Sequence, residues 1–158
     1  MKTIKFVISI LICLSAGFIG SIFTGSSVDS WYKTIIRPSF GPPNWIFAPV
    51  WTTLFVLMGI AFAIIWSSEL GEEKKSAKKK ALTVFVIQLF VNILWSLAFF
   101  GLKSPIFGLI VILILWFLIL LTIIKFSKIN KIAAYLLIPY ILWVSFATVL
   151  NFAIWRLN

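Results

Sequence analysis

Five long stretches of the sequence contain no charged residue. These stretches are residues 6–28, 38–68, 81–102, 104–124 and 132–155. Each contains a continuous apolar run close to the roughly 20 residues that an α-helix needs to cross the hydrocarbon core of a bilayer. Backbone groups in lipid must hydrogen-bond within their own segment, and these runs lack the alternating polarity of barrel strands. The sequence therefore predicts an all-α integral membrane protein, with a five-helix bundle as a single domain over residues 1–158.

The predicted spans follow from the apolar runs and the residues between them. They are residues 6–24, 45–67, 81–101, 106–124 and 132–155, and a long loop of residues 25–44 joins the first two. Ser104 and Pro105 are typical of a helix start, whereas Pro139 should bend the fifth span. The basic N-terminus and first apolar run also resemble a signal peptide. That run continues for about 18 residues without an A-x-A cleavage site, which favours a retained first helix.

The distribution of positive charge predicts an orientation. The chain has a net charge of +10, and its 14 Lys and Arg residues flank the apolar runs. Ten of the 14 fall at the N-terminus, in the loop after the second span and in the loop after the fourth. The excess of positive charge on the cytoplasmic side predicts a cytoplasmic N-terminus, with residues 25–44 and the C-terminus outside. This placement also disfavours nucleic acid as a partner, and the Ile- and Lys-rich composition favours a bacterial plasma membrane.

The residue inventory excludes several kinds of chemistry. The chain has four acidic residues, no His and one Cys, Cys13. These cannot form a Ser-His-Asp triad, a Cys-His pair or a cysteine metal site, so we predict no metal site. No predicted span contains Asp, Glu, Lys, Arg or His, and this disfavours a proton-coupled exporter, which needs a titratable group at membrane depth.

Three of the predicted helices carry polar and aromatic residues at helical spacing. The residues are Trp51, Phe55 and Met58 in the second span, Gln88, Asn92 and Ser96 in the third, and Trp143, Ala147 and Asn151 in the fifth. In one interpretation the amides only join helices through hydrogen bonds worth about 0.6–2 kcal/mol each. In the other, the three faces line a pocket for a flat apolar ligand, with stacking for area and a few donors for orientation.

Small residues and tryptophans admit two interpretations each. Ala16 and Gly20 form a small-xxx-small pair in the first span, which favours close packing within the monomer, with a dimer seam as the alternative. Tryptophans near span ends are typical of interfacial anchors. Trp95 and Trp143 fit that role less well because they lie deeper in their spans.

A longer motif surrounds the loop between the first two spans. From Trp31 to Leu54 the chain reads W-Y-x-x-x-x-x-P-S-x-x-P-P-x-W-x-x-x-P-V-W-T-x-L. The third span adds Asn92 and Trp95, and the fifth adds Pro139-Tyr140, Trp143 and Asn151 among others. Together these motifs resemble the translocator protein family, also called the tryptophan-rich sensory protein or peripheral benzodiazepine receptor family. The resemblance covers nearly the whole chain.

The resemblance implies a five-helix bundle whose first loop forms a lid over a ligand pocket. It implies porphyrins, isoquinoline and benzodiazepine drugs as ligands, a homodimer and no required cofactor. The pocket residues it implies are Tyr32, Pro42, Trp51, Phe55, Asn92, Trp95, Trp143 and Ala147, with Trp31 and Trp45 in the lid. We call residues 25–44 the lid loop.

Three hypotheses for function stay open on the sequence. The first is a receptor-like or translocator-like binder of tetrapyrroles such as protoporphyrin IX. The second, which the resemblance also implies, is an enzyme for light- and oxygen-dependent protoporphyrin breakdown through Trp51 and Trp143. The third is a structural membrane protein whose polar faces only pack.

Two positions depart from the animal members of that family. Phe152 stands where their sterol-recognition pattern has Tyr, so sterol binding is not expected. Gly41 and Asn44 stand where they have histidines. The lid loop therefore offers no axial haem ligand, which favours a metal-free porphyrin.

Overall fold

Five long helices make up most of the chain in the computed structural model, which describes residues 1–158. All five are long and apolar enough to cross a membrane. The α-helices are α1 (Lys2–Val28), α2 (Trp31–Thr34), α3 (Phe47–Ser67), α4 (Glu72–Ser96), α5 (Pro105–Ser127), α6 (Lys131–Leu136) and α7 (Ile138–Leu157). A 3-10 turn, Asn44–Ile46, leads into α3, and a π-helical turn, Leu97–Gly101, extends α4. The predicted all-α five-helix architecture is confirmed.

Several helices extend beyond the predicted spans, and α1 and α4 do so the most. Residues 25–28 form the last turn of α1, so the lid loop consists of residues 29–43. α4 begins at Glu72 instead of residue 81, because the lysine-rich segment continues the helix out of the apolar run. Lys and Glu are good helix formers, and Glu72 and Glu73 in the first turn favour the helix dipole.

The residues predicted to start a helix and to bend the fifth span both lie at helix ends in the structure. The Ser104 side chain accepts a hydrogen bond from the Phe107 amide at 3.3 Å, and Pro105 is the first residue of α5. The fifth span is interrupted at Leu137, two residues before Pro139. Proline has no N–H and its ring collides with the preceding turn, so α6 ends at Leu136 and α7 begins at Ile138.

α1 packs against both α3 and α4, while α5 lies between α4 and α7. The approach of α1 to α3 is very close at Gly59, where a Cβ atom would lie 2.6 Å from the Ile10 Cα. At the lid end of the bundle, the Ser27 hydroxyl donates to the Phe100 carbonyl at 2.6 Å and so holds the π-helical turn against α1.

The outer surface of the helices is strongly apolar. Phe18, Phe117 and Leu142 each expose more than 60% of their area, although they lie in the middle of apolar helices. Apolar side chains on this scale are unusual on a protein surrounded by water and ordinary on one surrounded by lipid. The protein is an integral membrane protein.

Candidate functional site

An aromatic wall runs through the lid half of the bundle. The ring centroids of Trp51 and Trp95 are 6.0 Å apart, and Trp95 stacks on Phe99 at 5.8 Å. Trp51 also meets Phe55 at 5.8 Å and the Tyr140 ring at 6.4 Å. The sequence placed these rings on separate helices, and the fold brings α3, α4 and α7 together through them.

The space among α3, α4 and α7 is nearly filled. It holds only about 20 Å³, and we call it the inner space. Its lining residues are Tyr32, Phe47, Trp51, Trp95, Phe99, Phe100, Trp143, Phe146, Ala147, Leu150, Asn151 and Ile154. Five of the predicted pocket residues therefore meet here: Tyr32, Trp51, Trp95, Trp143 and Ala147.

A larger cavity lies on the other side of the same aromatic wall, against α1. It measures about 250 Å³, and we call it the α1 cleft. Its lining residues are Gly17, Gly20, Ser21, Thr24, Gly25, Val28, Asn44, Phe47, Ala48, Trp51, Phe55, Asn92, Trp95, Ser96 and Phe100. Ser21, Gly25 and Ala48 are exposed at its mouth, so the cleft opens between α1 and the start of α3.

The contribution of α1 is what the sequence reasoning missed. Gly17 and Gly20 let the cavity form, since a Cβ at Gly17 would lie 2.6 Å from Phe55 Cδ2, and one at Gly20 would lie 3.2 Å from Ser96 Oγ. The signal was present as small residues at helical spacing. Close packing and a cavity wall both require small residues, so the pattern alone does not distinguish them.

A buried hydrogen-bond chain fixes Asn92. Its Nδ2 donates to the Tyr140 hydroxyl at 2.7 Å, and that hydroxyl donates to Gln88 Oε1 at 2.7 Å. Gln88 Nε2 contacts the Met58 sulfur at 3.8 Å. All four residues are buried. Asn92 Nδ2 is thus engaged within the bundle, which leaves its Oδ1 as the acceptor beside the α1 cleft.

The two deep tryptophans differ in their hydrogen bonds. Trp95 Nε1 donates to Asn151 Oδ1 at 3.1 Å, and Asn151 Nδ2 in turn donates to the Pro105 carbonyl at 2.8 Å. Trp143 Nε1 is buried and has no acceptor. Buried donors normally have partners, so the Trp143 indole is a free donor beside the inner space.

The lid loop covers the site through Tyr32. Its buried ring contacts Phe47, Phe99 and Phe100 at centroid distances of 6.3, 6.2 and 5.6 Å. Trp31 packs edge-on against Phe99 at 5.6 Å. Burial raises the pKa of the Tyr32 phenol, and the neighbouring Arg37 guanidinium opposes part of that shift. Tyr32 is therefore a neutral phenol at the roof of the site.

Two of the predicted residues lie away from both cavities. Pro42 lines a shallow basin on the lid surface together with Arg37 and Gly41. Trp45 exposes 71% of its area and lines neither cavity. The structure thus brings Trp51, Phe55, Asn92 and Trp95 to the α1 cleft. It leaves Pro42 in the lid loop and Trp45 in the 3-10 turn outside both cavities.

The residues around both cavities offer amide, hydroxyl, phenol and indole groups. Neither lining contains Asp, Glu, Lys, Arg, His or Cys. Such a site can stack on a flat apolar molecule and hydrogen-bond to one or two of its polar atoms. It has no side chain that could neutralise a fully buried charge.

Comparison with known proteins supports the family resemblance noted in the sequence. Residues 9–156 match the TspO/MBR family. The tryptophan-rich protein TspO of Chlorobaculum tepidum is 45% identical over 147 residues, covering 93% of this chain and 91% of the relative. That of Archaeoglobus fulgidus is 44% identical over 158 residues, covering 100% and 99%. The translocator protein of Homo sapiens is 33% identical over 141 residues, covering 89% and 82%. The chain is therefore a member of the TspO/MBR family of membrane proteins.

Proposed function

We propose that the protein binds tetrapyrroles, with protoporphyrin IX as the representative ligand, and flat isoquinoline- or benzodiazepine-type molecules at the same site. The observation that carries this proposal is the aromatic wall of Trp51 and Trp95, which has a cavity on each face. Stacking on indoles is not selective for one ring system, so a single wall can serve several flat ligands.

The free polar atoms support a ligand that carries both a donor and an acceptor. Asn92 Oδ1 can accept from a ligand N–H, and Trp143 Nε1 can donate to a ligand oxygen or nitrogen. Leaving a buried donor unpaired costs about 1–3 kcal/mol. A ligand acceptor that reaches Trp143 would remove this cost, and this favours bound molecules over an empty site.

Binding requires the two cavities to merge. Pockets for drug-sized ligands typically measure roughly 300–1,000 Å³, and the α1 cleft alone is smaller, at about 250 Å³. The side chains of Phe47, Trp51, Trp95 and Phe100 line both cavities and form the partition between them. Rotation of these rings would join the inner space to the cleft, and side-chain rotation is a common response to binding.

The proposal includes the surroundings of the protein. The N-terminus faces the cytoplasm of a bacterial cell, the lid loop and the C-terminus face outwards, and two chains associate as a homodimer. Ligands then reach the site from the lid side or from the bilayer through the mouth between α1 and α3. No cofactor is required for binding, and the porphyrin is itself the ligand or substrate.

Quenching of tryptophan fluorescence tests this proposal in detergent. Trp51, Trp95 and Trp143 border the cavities, so added protoporphyrin should quench the emission saturably with a one-to-one stoichiometry. A double variant, Trp51→Phe with Asn92→Leu, should weaken the binding. A linear quenching curve with no saturation would support the structural alternative, in which the polar faces only pack.

The second candidate is enzymatic breakdown of protoporphyrin under light and oxygen. It is favoured by one observation, the unpartnered Trp143 indole beside the same space as Trp51. Phenylalanine retains the stacking surface but not the redox-active indole. Trp51→Phe and Trp143→Phe should therefore retain most of the binding and lose the light-dependent product. Product formation by the doubly substituted protein would exclude these two indoles from the reaction.

A further inference from the structure

Arg37 lies at the lid end of the bundle, beside the mouth of the α1 cleft. Arg37 Nη1 donates to Asn44 Oδ1 at 3.2 Å, and Asn44 lines the cleft. The guanidinium carbon lies 5.1 Å from the centroid of the Tyr32 ring, in a cation–π contact. Arg37 also borders the shallow basin on the lid surface. Its guanidinium is therefore held in place between the basin and the cleft by neutral groups alone.

This guanidinium has no carboxylate partner. The only ion pairs in the protein are Lys33–Asp29 at 3.5 Å and a pair at the lysine-rich end of the bundle. Asp29 is the only acidic residue at the lid end, and Lys33 occupies it. Arginine has five N–H donors, and one hydrogen bond to Asn44 leaves most of them free.

Unlike the charged guanidinium at its mouth, the α1 cleft is neutral, since no residue that lines it is charged. Moving an ionised carboxylate into such a site without a partner costs several kcal/mol or more. An acidic ligand with a flat apolar body can avoid this cost in one way. Its body enters the aromatic cleft and its carboxylates stay at the mouth, where Arg37 is an unpaired cation bonded to the cleft residue Asn44.

We propose that Arg37 is the residue that recognises a carboxylate of the ligand and so sets the orientation of an acidic tetrapyrrole in the site. The inference rests on the proposed function and adds to it a preference for carboxylic acids over their neutral derivatives. A guanidinium suits this role because its planar fork pairs with both oxygens of a carboxylate. The contact with Tyr32 also reduces the freedom that Arg37 would lose on binding.

The test compares two ligands that differ only in charge, protoporphyrin IX and its dimethyl ester. Both are titrated against the full chain in a neutral detergent, for wild type, Arg37→Gln, Arg37→Lys and the control Lys33→Gln. Lys33 is a matched control because it lies in the same part of the chain and is already paired with Asp29. The quantity measured for each variant is the ratio of the two dissociation constants. Partitioning of each ligand into micelles is the same for every variant, so it cancels when the ratios of two variants are compared.

Arg37→Gln should lower the preference for the acid about fivefold, the effect of a partly exposed ion pair near the top of its usual range. The affinity for the ester should change less than twofold. Arg37→Lys should retain part of the preference, Lys33→Gln should retain all of it, and added salt should weaken binding of the acid only.

Two results would overturn the inference. If Arg37→Gln weakens the binding of both ligands equally, Arg37 only holds the lid loop through Asn44 and Tyr32. If the substitution changes the affinity for neither ligand, the carboxylates are bound elsewhere. Both results leave tetrapyrrole binding itself intact. If wild type binds neither ligand saturably, the proposed function fails and this inference fails with it.

Discussion

At the residue scale, the buried chain of Asn92, Tyr140 and Gln88 makes a direct prediction. Tyr140→Phe removes the hydroxyl that joins the two amides and leaves both with an unpaired group inside the bundle. We expect a loss of about 1–3 kcal/mol in the free energy of unfolding, measured by thermal unfolding in detergent. Tyr135→Phe is the control, because Tyr135 is 66% exposed. Equal melting temperatures for the two variants would show that the hydrogen-bond chain is not important for stability.

Two glycines of α1 offer a second matched pair. A Cβ at Gly17 would overlap the Phe55 ring, whereas one at Gly25 has no atom within 4 Å. Gly17→Ala should push Phe55 into the cleft, destabilise the protein by about 1–3 kcal/mol and weaken porphyrin binding. Gly25→Ala should stabilise α1 by up to about 1 kcal/mol through helix propensity, because its added methyl group displaces no neighbouring atom. Thermal unfolding and fluorescence titration of both variants measure these effects, and similar results for the two would contradict the placement of Phe55.

At the element scale, the predicted helices follow from charge-free runs, and Ser104, Pro105 and Pro139 mark ends and bends because their effect on the backbone is local. The helix ends at 28 and 72 were not predicted, since charged residues continue a helix beyond the bilayer as readily as they end one. The role of α1 was also missed. Which face of a helix meets which neighbour depends on packing between distant segments, and a stripe of small residues is compatible with a seam or with a cavity.

The contact between α7 and the lid loop makes a further prediction. The side chain of Asn158 accepts from the Ile36 amide at 3.0 Å and donates to the Ile36 carbonyl at 2.8 Å. Each such bond is worth about 0.5–1.5 kcal/mol net. Asn158→Ala should therefore raise the association and dissociation rates of porphyrin together by about fivefold, with little change in affinity. Stopped-flow quenching measures both rates, and Arg156→Gln, which removes no lid contact, is the control.

Unchanged rates in Asn158→Ala would mean that the lid loop does not move when ligand enters. A rise in the dissociation rate alone would mean that Asn158 stabilises the bound state directly. Only a parallel change in both rates identifies a contact that holds the entrance closed without touching the ligand.

At the scale of the whole molecule, the proposed orientation can be tested with two introduced cysteines. Ser39 in the lid loop and Ser76 in the lysine-rich segment are both exposed, and they lie at opposite ends of the bundle. The native Cys13 is 1% exposed and gives little background. In intact cells a membrane-impermeant thiol reagent should label Ser39→Cys and should label Ser76→Cys only after permeabilisation. The reverse pattern would contradict the charge-based orientation.

The site as a whole was only partly predictable from the sequence, because its shape depends on packing between distant segments. Motifs and resemblance pointed to Trp51, Phe55, Asn92 and Trp95, which do meet at one cavity. Neither could reveal that the aromatic rings nearly fill the inner space. The volume of a cavity depends on the torsion angles of many side chains at once, and no pattern of residue types fixes them.

The hydrogen bond from Ser27 to the Phe100 carbonyl has a consequence for how the partition opens. The main chain of Phe100 is pinned to α1, yet its ring is one of the four that separate the two cavities. The side-chain torsion angles of Phe100 can therefore change while its backbone stays fixed. Empty and occupied forms should then superpose closely along the backbone, and the difference between them should lie in a few aromatic torsions.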